Sequence, residues 1–524
     1  MTEPGKPQHA AQKIAGPSSA PTSGAAPVSS SGRGSGSVRS AALWAAGSQY
    51  CLFVLQFATS VIISRFFLKP EEIGLFSVAL AGAMILSVIQ DFGLTRYLGR
   101  HPTADEDTVR HCTVLAVLFS LLVAGLIAAA AVPLAHFYGE PRLLPILGLI
   151  AVSYLFNPWS VVPLALLSRR LDFRAVFLVN GSGAVASSAC ALTLAALGFS
   201  AESLAWAMIA QSITRALAAQ LCRPTALSLR VRAARLREIG RFGSGSALLY
   251  LSGGIGTRTP DLVIGRMQGM AATGLFSRGS ALAGQLHTLV AGAVSSVYYP
   301  AFARLRDEGR DLGPYYERVA AAHGAIVWPA MVLLAVLAEP VILLLYGEAW
   351  IDAAPLLRLL ALAECCFVAL PLHVDLPILL GRMRALLWVN LADTALSLGC
   401  LVIGAAISLE AAAGSRIAYG LAWIALYAAW LQGMIGFRWT ALLRIYLSSA
   451  ATAAVTALPA LYLLHVWSAP ARMGVGGLVL AIAGAALCWL AAIVLLRHPA
   501  RADLASTAHH ALGQVQGRQR TNIS

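Results

Sequence analysis

The sequence predicts an all-α polytopic membrane protein of about fourteen transmembrane helices: two six-helix lobes related by a pseudo-twofold axis along the membrane normal, with a helix pair appended at the C-terminus. Three observations predict it. First, 58% of the 524 residues are hydrophobic and only 12% are charged, whereas a soluble chain is about a quarter charged; the mean hydropathy is +0.72. Second, from Ala41 onward apolar stretches of about 20 residues, each able to cross a bilayer, succeed one another with short polar breaks. Third, the chain repeats itself. Ile73-Gly74-Leu75-Phe76-Ser77 returns as Thr273-Gly274-Leu275-Phe276-Ser277, Tyr138-Gly139-Glu140 as Tyr346-Gly347-Glu348, and the stretch from Arg174 to Asn180 as that from Arg384 to Asn390. Three collinear echoes at nearly one spacing point to a duplicated half.

Residues 1–40 are rich in Gly, Ser, Pro and Ala without apolar periodicity, which predicts a disordered cytoplasmic tail rather than a signal peptide. Spans 1–6 fall in 41–222 and form the first lobe. An Arg-rich linker at 223–241 follows, then spans 7–12 in 242–438 as the second lobe. A hairpin of spans 13 and 14 occupies 439–497, and 498–524 is a second cytoplasmic tail. Six spans per half is an even number, so both halves enter the membrane in the same direction.

Charge sets the orientation. The formal net charge of +14 would suggest a nucleic-acid partner in a soluble protein. Here most of the Lys and Arg residues fall on one side when the N-terminus is cytoplasmic, so the positive-inside rule accounts for them and no nucleic acid is expected. The 223–241 linker alone holds Arg223, Arg230, Arg232, Arg235, Arg237 and Arg241 against Glu238. Both termini are therefore expected in the cytoplasm. The eight cysteines form no CxxC or Cys/His cluster, so neither a metal nor a disulfide framework is indicated, and no cofactor is expected. No Walker A, GxSxG or HExxH pattern is present, and no loop exceeds roughly 20 residues, which leaves no room for a soluble catalytic domain. Asp105-Glu106-Asp107 matches a DxD string, but in a short loop it reads as a solvated charge run.

Charges inside spans are costly and usually face a cavity or a partner. In span 7, Tyr250, Gly254, Arg258, Asp261 and Gly265 share one helical face, and Pro260 interrupts the same helix. A polar stripe with a bend suits a cavity-lining helix; pairing of Arg258 with Asp261 is the plainer reading of the same spacing. In span 8, Arg278 and Gln285 lie on one face, and His287 points away from it. Arg215 in span 6 either lines the same space or snorkels to the cytoplasm. Candidates for ion coupling are Asp91, Asp261 and Asp375, because coupling requires a titratable carboxylate in the path.

The stretch Ser64-Arg65-Phe66-Phe67-Leu68-Lys69-Pro70-Glu71-Glu72-Ile73-Gly74-Leu75-Phe76 resembles the junction of spans 1 and 2 in Wzx-type polysaccharide exporters of the multidrug/oligosaccharidyl-lipid/polysaccharide (MOP) flippase superfamily. Asp91-Phe92-Gly93-Leu94, Asp261-Leu262-Val263-Ile264-Gly265-Arg266 and Pro300-Ala301-Phe302-Ala303-Arg304-Leu305 are similar to later motifs of that family. Pro260 before Asp261 departs from the pattern. The resemblance implies a V-shaped pair of lobes working by alternating access. It also implies a cargo of undecaprenyl-pyrophosphate-linked oligosaccharide for cell-surface polysaccharide, moved across the bacterial inner membrane, and no enzymatic step. It names membrane lipid, glycosyltransferases and a polysaccharide polymerase as candidate partners. Guanidinium groups suit a pyrophosphate because they offer several fixed donors. Arg65, Arg258 and Arg278 are the first choices, with Arg96 and Arg266 as loading or release contacts. A cation-coupled multidrug antiporter of the same architecture is the alternative; it would call for a carboxylate-dominated pocket.

Overall fold

A computed structural model describes residues 35–87, 98, 106–170, 172–225, 256, 258–467 and 473–501, without the side chains of 35–46, 48 and 290–297. Its first half contains α1 (Ser35–Phe66), α2 (Pro70–Ser87), α3 (Glu106–Tyr138), α4 (Leu143–Leu155), α5 (Pro158–Arg169), α6 (Phe173–Ala196) and α7 (Glu202–Cys222). A helical stretch at 258–267 leads into the second half. There follow α8 (Met270–Asp307), α9 (Gly313–Val336), α10 (Ala338–Leu345), α11 (Ala353–Val368), α12 (Asp375–Leu379), α13 (Met383–Ile407), α14 (Leu409–Ile435), α15 (Trp439–Trp467) and α16 (Gly474–Leu495).

Local chemistry explains the boundaries. Pro70 opens α2, where its missing N–H costs nothing, and the Glu72 carboxylate reaches back to accept the Lys69 N–H at 2.8 Å. Asp172 caps α6 by accepting the Ala175 N–H at 3.1 Å, and Ser408 caps α14 from Ala411 at 3.0 Å. Gly436 ends α14 in the left-handed region, at φ 79°. Span 4 is broken: α4 and α5 meet at 47° around Asn157-Pro158, where the proline ring excludes a continuous ladder.

Among the described residues nine helices are long and apolar enough to cross a membrane, or ten if the broken α4–α5 pair is one span. The protein is thus an all-α, multi-pass membrane protein, and the exact count of fourteen spans is not confirmed among the described residues. Helix α11 has only 16 residues, and α8 has 38, roughly 57 Å at 1.5 Å per residue, with Arg278, Arg304 and Arg306 along it.

In the first half α6 packs on α1 and α7, and α4 on α3 and α7; in the second, α11 packs on α8, α9 and α14, and α13 on α14. Helix α15 lies on α9 and α16 on α15, as an added pair. The main seam between halves is α2 against α8. Here the first echo finds its reason. A Cβ on Gly74 would overlap the Met270 carbonyl, and one on Gly274 would overlap the Pro70 carbonyl. The contact is reciprocal at equivalent positions, as a pseudo-twofold axis between the helices requires. One turn on, Ser77 Oγ meets Ser277 Oγ at 3.0 Å. Small residues permit this backbone approach, as in other membrane helix pairs.

The second echo lies at the same end of the bundle. Gly139 and Gly347 both adopt positive φ, 67° and 88°, and end their helices. From there each half reaches across the seam: the Tyr138 hydroxyl donates to Leu262 O at 3.0 Å, and the Trp350 indole N–H donates to Ser64 O at 2.8 Å.

Candidate functional site

Beside this seam lies a cavity of about 360 Å³. Four first-half helices line it with the same period: Gln56, Thr59, Ser60 and Ile63 from α1; Ile73, Phe76, Ser77 and Leu80 from α2; Ala184, Ser187, Ser188 and Ala191 from α6; Leu204, Ala207, Met208 and Gln211 from α7. Each set is spaced i, i+3, i+4, i+7, one helical face. The second half closes the cavity with Arg258, Asp261, Ser277 and Arg278. Among the described residues, therefore, the first half supplies hydroxyls and amides, and the second supplies every charge in the lining.

Arg278 is the most constrained of these charges. It reaches across the seam, its Nη1 donating to Ser60 Oγ at 2.6 Å, while its buried Nε has no protein partner. A buried guanidinium with an unfilled donor calls for a hydrogen-bond acceptor. Arg258 and Asp261 sit on one turn, and both face the cavity. No ion pair joins these two side chains among the described residues.

The other residues singled out in the sequence are placed as follows. Arg215, one turn beyond Gln211, packs its stem on Gly183, and its buried Nε likewise has no partner; it adjoins the lining without being part of it. Arg65 is exposed at the seam and donates from Nη1 to the carbonyls of Leu343, at 3.1 Å, and Leu344. It caps the C-terminal end of α10, where a cation is favoured, and does not line the cavity. Arg266 lies over the Phe137 ring at 5.1 Å, again across the seam. Gln285 and Asp375 are half-buried in the second half, away from the cavity. Asp91, Arg96, Tyr250 and Gly254 lie outside the described residues.

A second polar group lies inside the second half. His287 Nδ1 meets Glu364 Oε2 at 2.6 Å, the Tyr419 hydroxyl donates to Asp393 Oδ1 at 2.8 Å, and Arg416 Nη1 donates to Ser397 Oγ at 3.0 Å. The Arg416 guanidinium also stacks over Phe367 and Tyr419. Sequence reading passed over Arg416 because it stands at the edge of a span, where a charge needs no explanation. Among the described residues no three His, Cys, Asp or Glu side chains are grouped to hold a metal ion.

The chain is similar to known proteins in sequence and in fold. The family model described as "Polysaccharide biosynthesis protein" matches residues 62–355. The succinoglycan biosynthesis transport protein ExoT of Rhizobium meliloti (strain 1021) is 27% identical over 364 residues, 69% of this chain and 73% of its own length. The lipopolysaccharide biosynthesis protein WzxC of Escherichia coli (strain K12) is 23% identical over 350 residues, 65% of this chain and 68% of its own. In fold, the lipid II flippase MurJ in an inward closed conformation superposes with a TM-score of 0.71 at 11% identity, covering 87% of this chain and 99% of that one. An inward-facing multidrug resistance MATE transporter of the MOP superfamily reaches 0.59 at 17% identity, covering 74% of this chain and 94% of that one.

Proposed function

The chain belongs to the polysaccharide biosynthesis protein family, and on that premise we propose that it is a transporter: a flippase that carries lipid-linked oligosaccharide units across the membrane for cell-surface polysaccharide. The observation that carries the reading is the asymmetric cavity, with two arginines, one of them holding an unfilled donor, facing a wall of hydroxyls and amides. The cargo has matching parts: a pyrophosphate for the arginines, a polar glycan for the hydroxyl-bearing face, and a lipid tail that stays in the bilayer. The relatives named for succinoglycan transport and lipopolysaccharide biosynthesis support the same class of cargo.

Undecaprenyl-pyrophosphate is the carrier and the bacterial inner membrane the site. Both termini are cytoplasmic, by the distribution of Lys and Arg. In that orientation the α2–α8 seam closes the outer end. A cavity of about 360 Å³ is at the small end for a ligand pocket, so in this state it fits the pyrophosphate and the sugar next to it, and the rest of the glycan meets the hydroxyl-bearing face only when the lobes part. Loading and release both require the lobes, 41–222 and 242–438, to part at one end and then the other. Arg258 and Arg278 hold the pyrophosphate, Arg215 flanks its path, Arg65 belongs to the outer seal, and Asp261 is the best placed of Asp91, Asp261 and Asp375 to couple an ion. Glycosyltransferases and a polymerase are the partners that would make and consume the cargo.

Replacing Arg258 and Arg278 together with Ala should abolish glycan export in cells that still insert the protein at normal abundance. Normal export from that variant overturns the assigned site. The MATE likeness makes drug export the second reading; unchanged drug susceptibility in a deletion strain that lacks surface glycan rejects it.

A further inference from the structure

A second cavity, of about 630 Å³, lies far from the first, at the end of the bundle where α9 and α15 begin and α16 ends. Four arginines line it: Arg318 from α9, Arg438 and Arg444 from the start of α15, and Arg497 from the turn after α16. Among the described residues Glu317 is its one acidic side chain, and that carboxylate is committed. It accepts the Arg438 backbone N–H at 2.9 Å and two guanidinium nitrogens of the same residue at 3.2 and 3.0 Å. The lining thus carries a net charge of +3, and Arg444 and Arg497 have no ion-pair partner among the described residues.

The site is built rather than an accident of loose arginines. Arg497 adopts a positive φ of 48°, a conformation costly for a residue with a side chain. The next residues hold it there. His498 is fully buried, its Nε2 3.1 Å from Ser449 Oγ and its Nδ1 accepting the Ala500 N–H at 3.2 Å. Ala500 is itself buried against Ala321, Ala325 and Ile445. The chain therefore turns back over α9 and α15 and presents Arg497 to the cavity. On the opposite wall, Tyr316 stacks on Phe437 at 5.3 Å and fixes the start of α9 against that of α15.

The surroundings identify the ligand. The three helices that meet at the cavity are all long and apolar enough to span a membrane, and the cavity sits at their ends, which is where the headgroup layer meets a spanning helix. The helices beside it expose aliphatic side chains: Leu443 and Leu447 of α15 and Leu495 at the end of α16 are 59%, 64% and 79% exposed, and Trp439 opens α15, where an interfacial aromatic is common. A basic hollow between helices that expose aliphatic side chains matches a molecule with a phosphate head and acyl tails. We propose that this cavity binds the phosphodiester headgroup of an anionic phospholipid, the phosphate held by the Arg444 and Arg497 guanidinium groups and the acyl chains lying along the outer faces of α15 and α16.

The test uses the purified full-length protein in neutral detergent, with thermal unfolding followed against added lipid. Phosphatidylglycerol should raise the melting temperature with saturation, while phosphatidylcholine and inorganic phosphate at equal concentration should not. In Arg444→Gln/Arg497→Gln the apparent affinity for phosphatidylglycerol should fall about tenfold or more. Equal stabilisation by phosphatidylcholine, or an unchanged affinity in the variant, overturns the proposal. Equal stabilisation by inorganic phosphate also overturns it, in favour of a soluble-anion site. If the double glutamine variant does not elute as a single species, Arg444→Lys/Arg497→Lys decides. It keeps the charge and loses the planar fork, and it should weaken the lipid effect several-fold; an unchanged effect there overturns the proposal equally.

Discussion

The close approach of Gly74 and Gly274 makes a quantitative prediction about which end of the protein is open. In Gly74→Ala the new Cβ meets the Met270 carbonyl, a backbone atom that cannot rotate away. Relief requires α2 and α8 to separate, and overpacking of this kind costs about 1–3 kcal/mol. The cost falls only on the state in which the seam is closed. The better helix propensity of Ala, worth up to ~1 kcal/mol, acts in both states and cancels. The open population at this end should therefore rise by about 5- to 150-fold. A cysteine at Ser77, in a background without the native cysteines, reports this through its labelling rate by a membrane-impermeant maleimide on whole cells. Labelling should be faster in Gly74→Ala, and unchanged in the control Gly148→Ala, where a Cβ has open space. Equal rates for Gly74→Ala and the parent, at equal amounts of inserted protein, would refute the sealing role of the contact.

Other expectations follow from the same structure. Arg278→Lys keeps a cation but loses the planar fork that bonds Ser60 and faces the cavity; export should fall at least tenfold, and wild-type export would count against the pyrophosphate role. Arg65→Ala removes the cap on the Leu343 and Leu344 carbonyls and should speed labelling at Ser77 by severalfold, the equivalent of about 1 kcal/mol. His498 gives a pH dependence: burial holds its imidazole down at about 4, from an ordinary 6.5. Docking of the segment after α16 is therefore fully stable above pH 6.5 and weakens by about 1.4 kcal/mol per unit as pH falls toward 4, because the undocked ring takes up the proton. Amide protection factors at 497–501 measured at pH 7.5 and 5.0 should show the loss, and His498→Ala should remove the pH dependence; protection that holds at pH 5.0 would contradict the assignment.

The helical, duplicated architecture was legible because it rests on composition and on repeated letters. The meaning of the repeats was not. Gly74 and Gly274 are repeated because two backbones touch there, a fact that depends on where α8 crosses α2 and not on either segment alone. Arg278 stood out because a charge within a span demands a partner, but its partner, Ser60, belongs to the other half. The uncharged lining of Gln56, Thr59, Ser187, Ser188 and Gln211 went unremarked: small polar residues are common wherever membrane helices pack, and only the shared i, i+3, i+4, i+7 face on four helices distinguishes them. Arg65, a candidate cargo contact from its motif, engages the C-terminal carbonyls of α10 at the seam, a partner distant in sequence that the motif does not reveal. The count of fourteen spans is not confirmed among the described residues, since a 20-residue criterion cannot see that α8 is 38 residues long or that α4 and α5 bend at Pro158.

The central claim is that the two halves must part at the seam for a lipid-linked glycan to pass. The hydroxyls of Ser77 and Ser277 are 3.0 Å apart, so Ser77→Cys/Ser277→Cys can be joined by oxidation. The decisive measurement is translocation of undecaprenyl-pyrophosphate-linked oligosaccharide in vesicles reconstituted with this variant, again in a background without native cysteines. It is scored by the glycan that becomes accessible to an added lectin. Translocation should run in the reduced protein, stop on oxidation and resume with reductant. Undiminished translocation by the fully cross-linked protein, or none by the reduced one, would contradict the account.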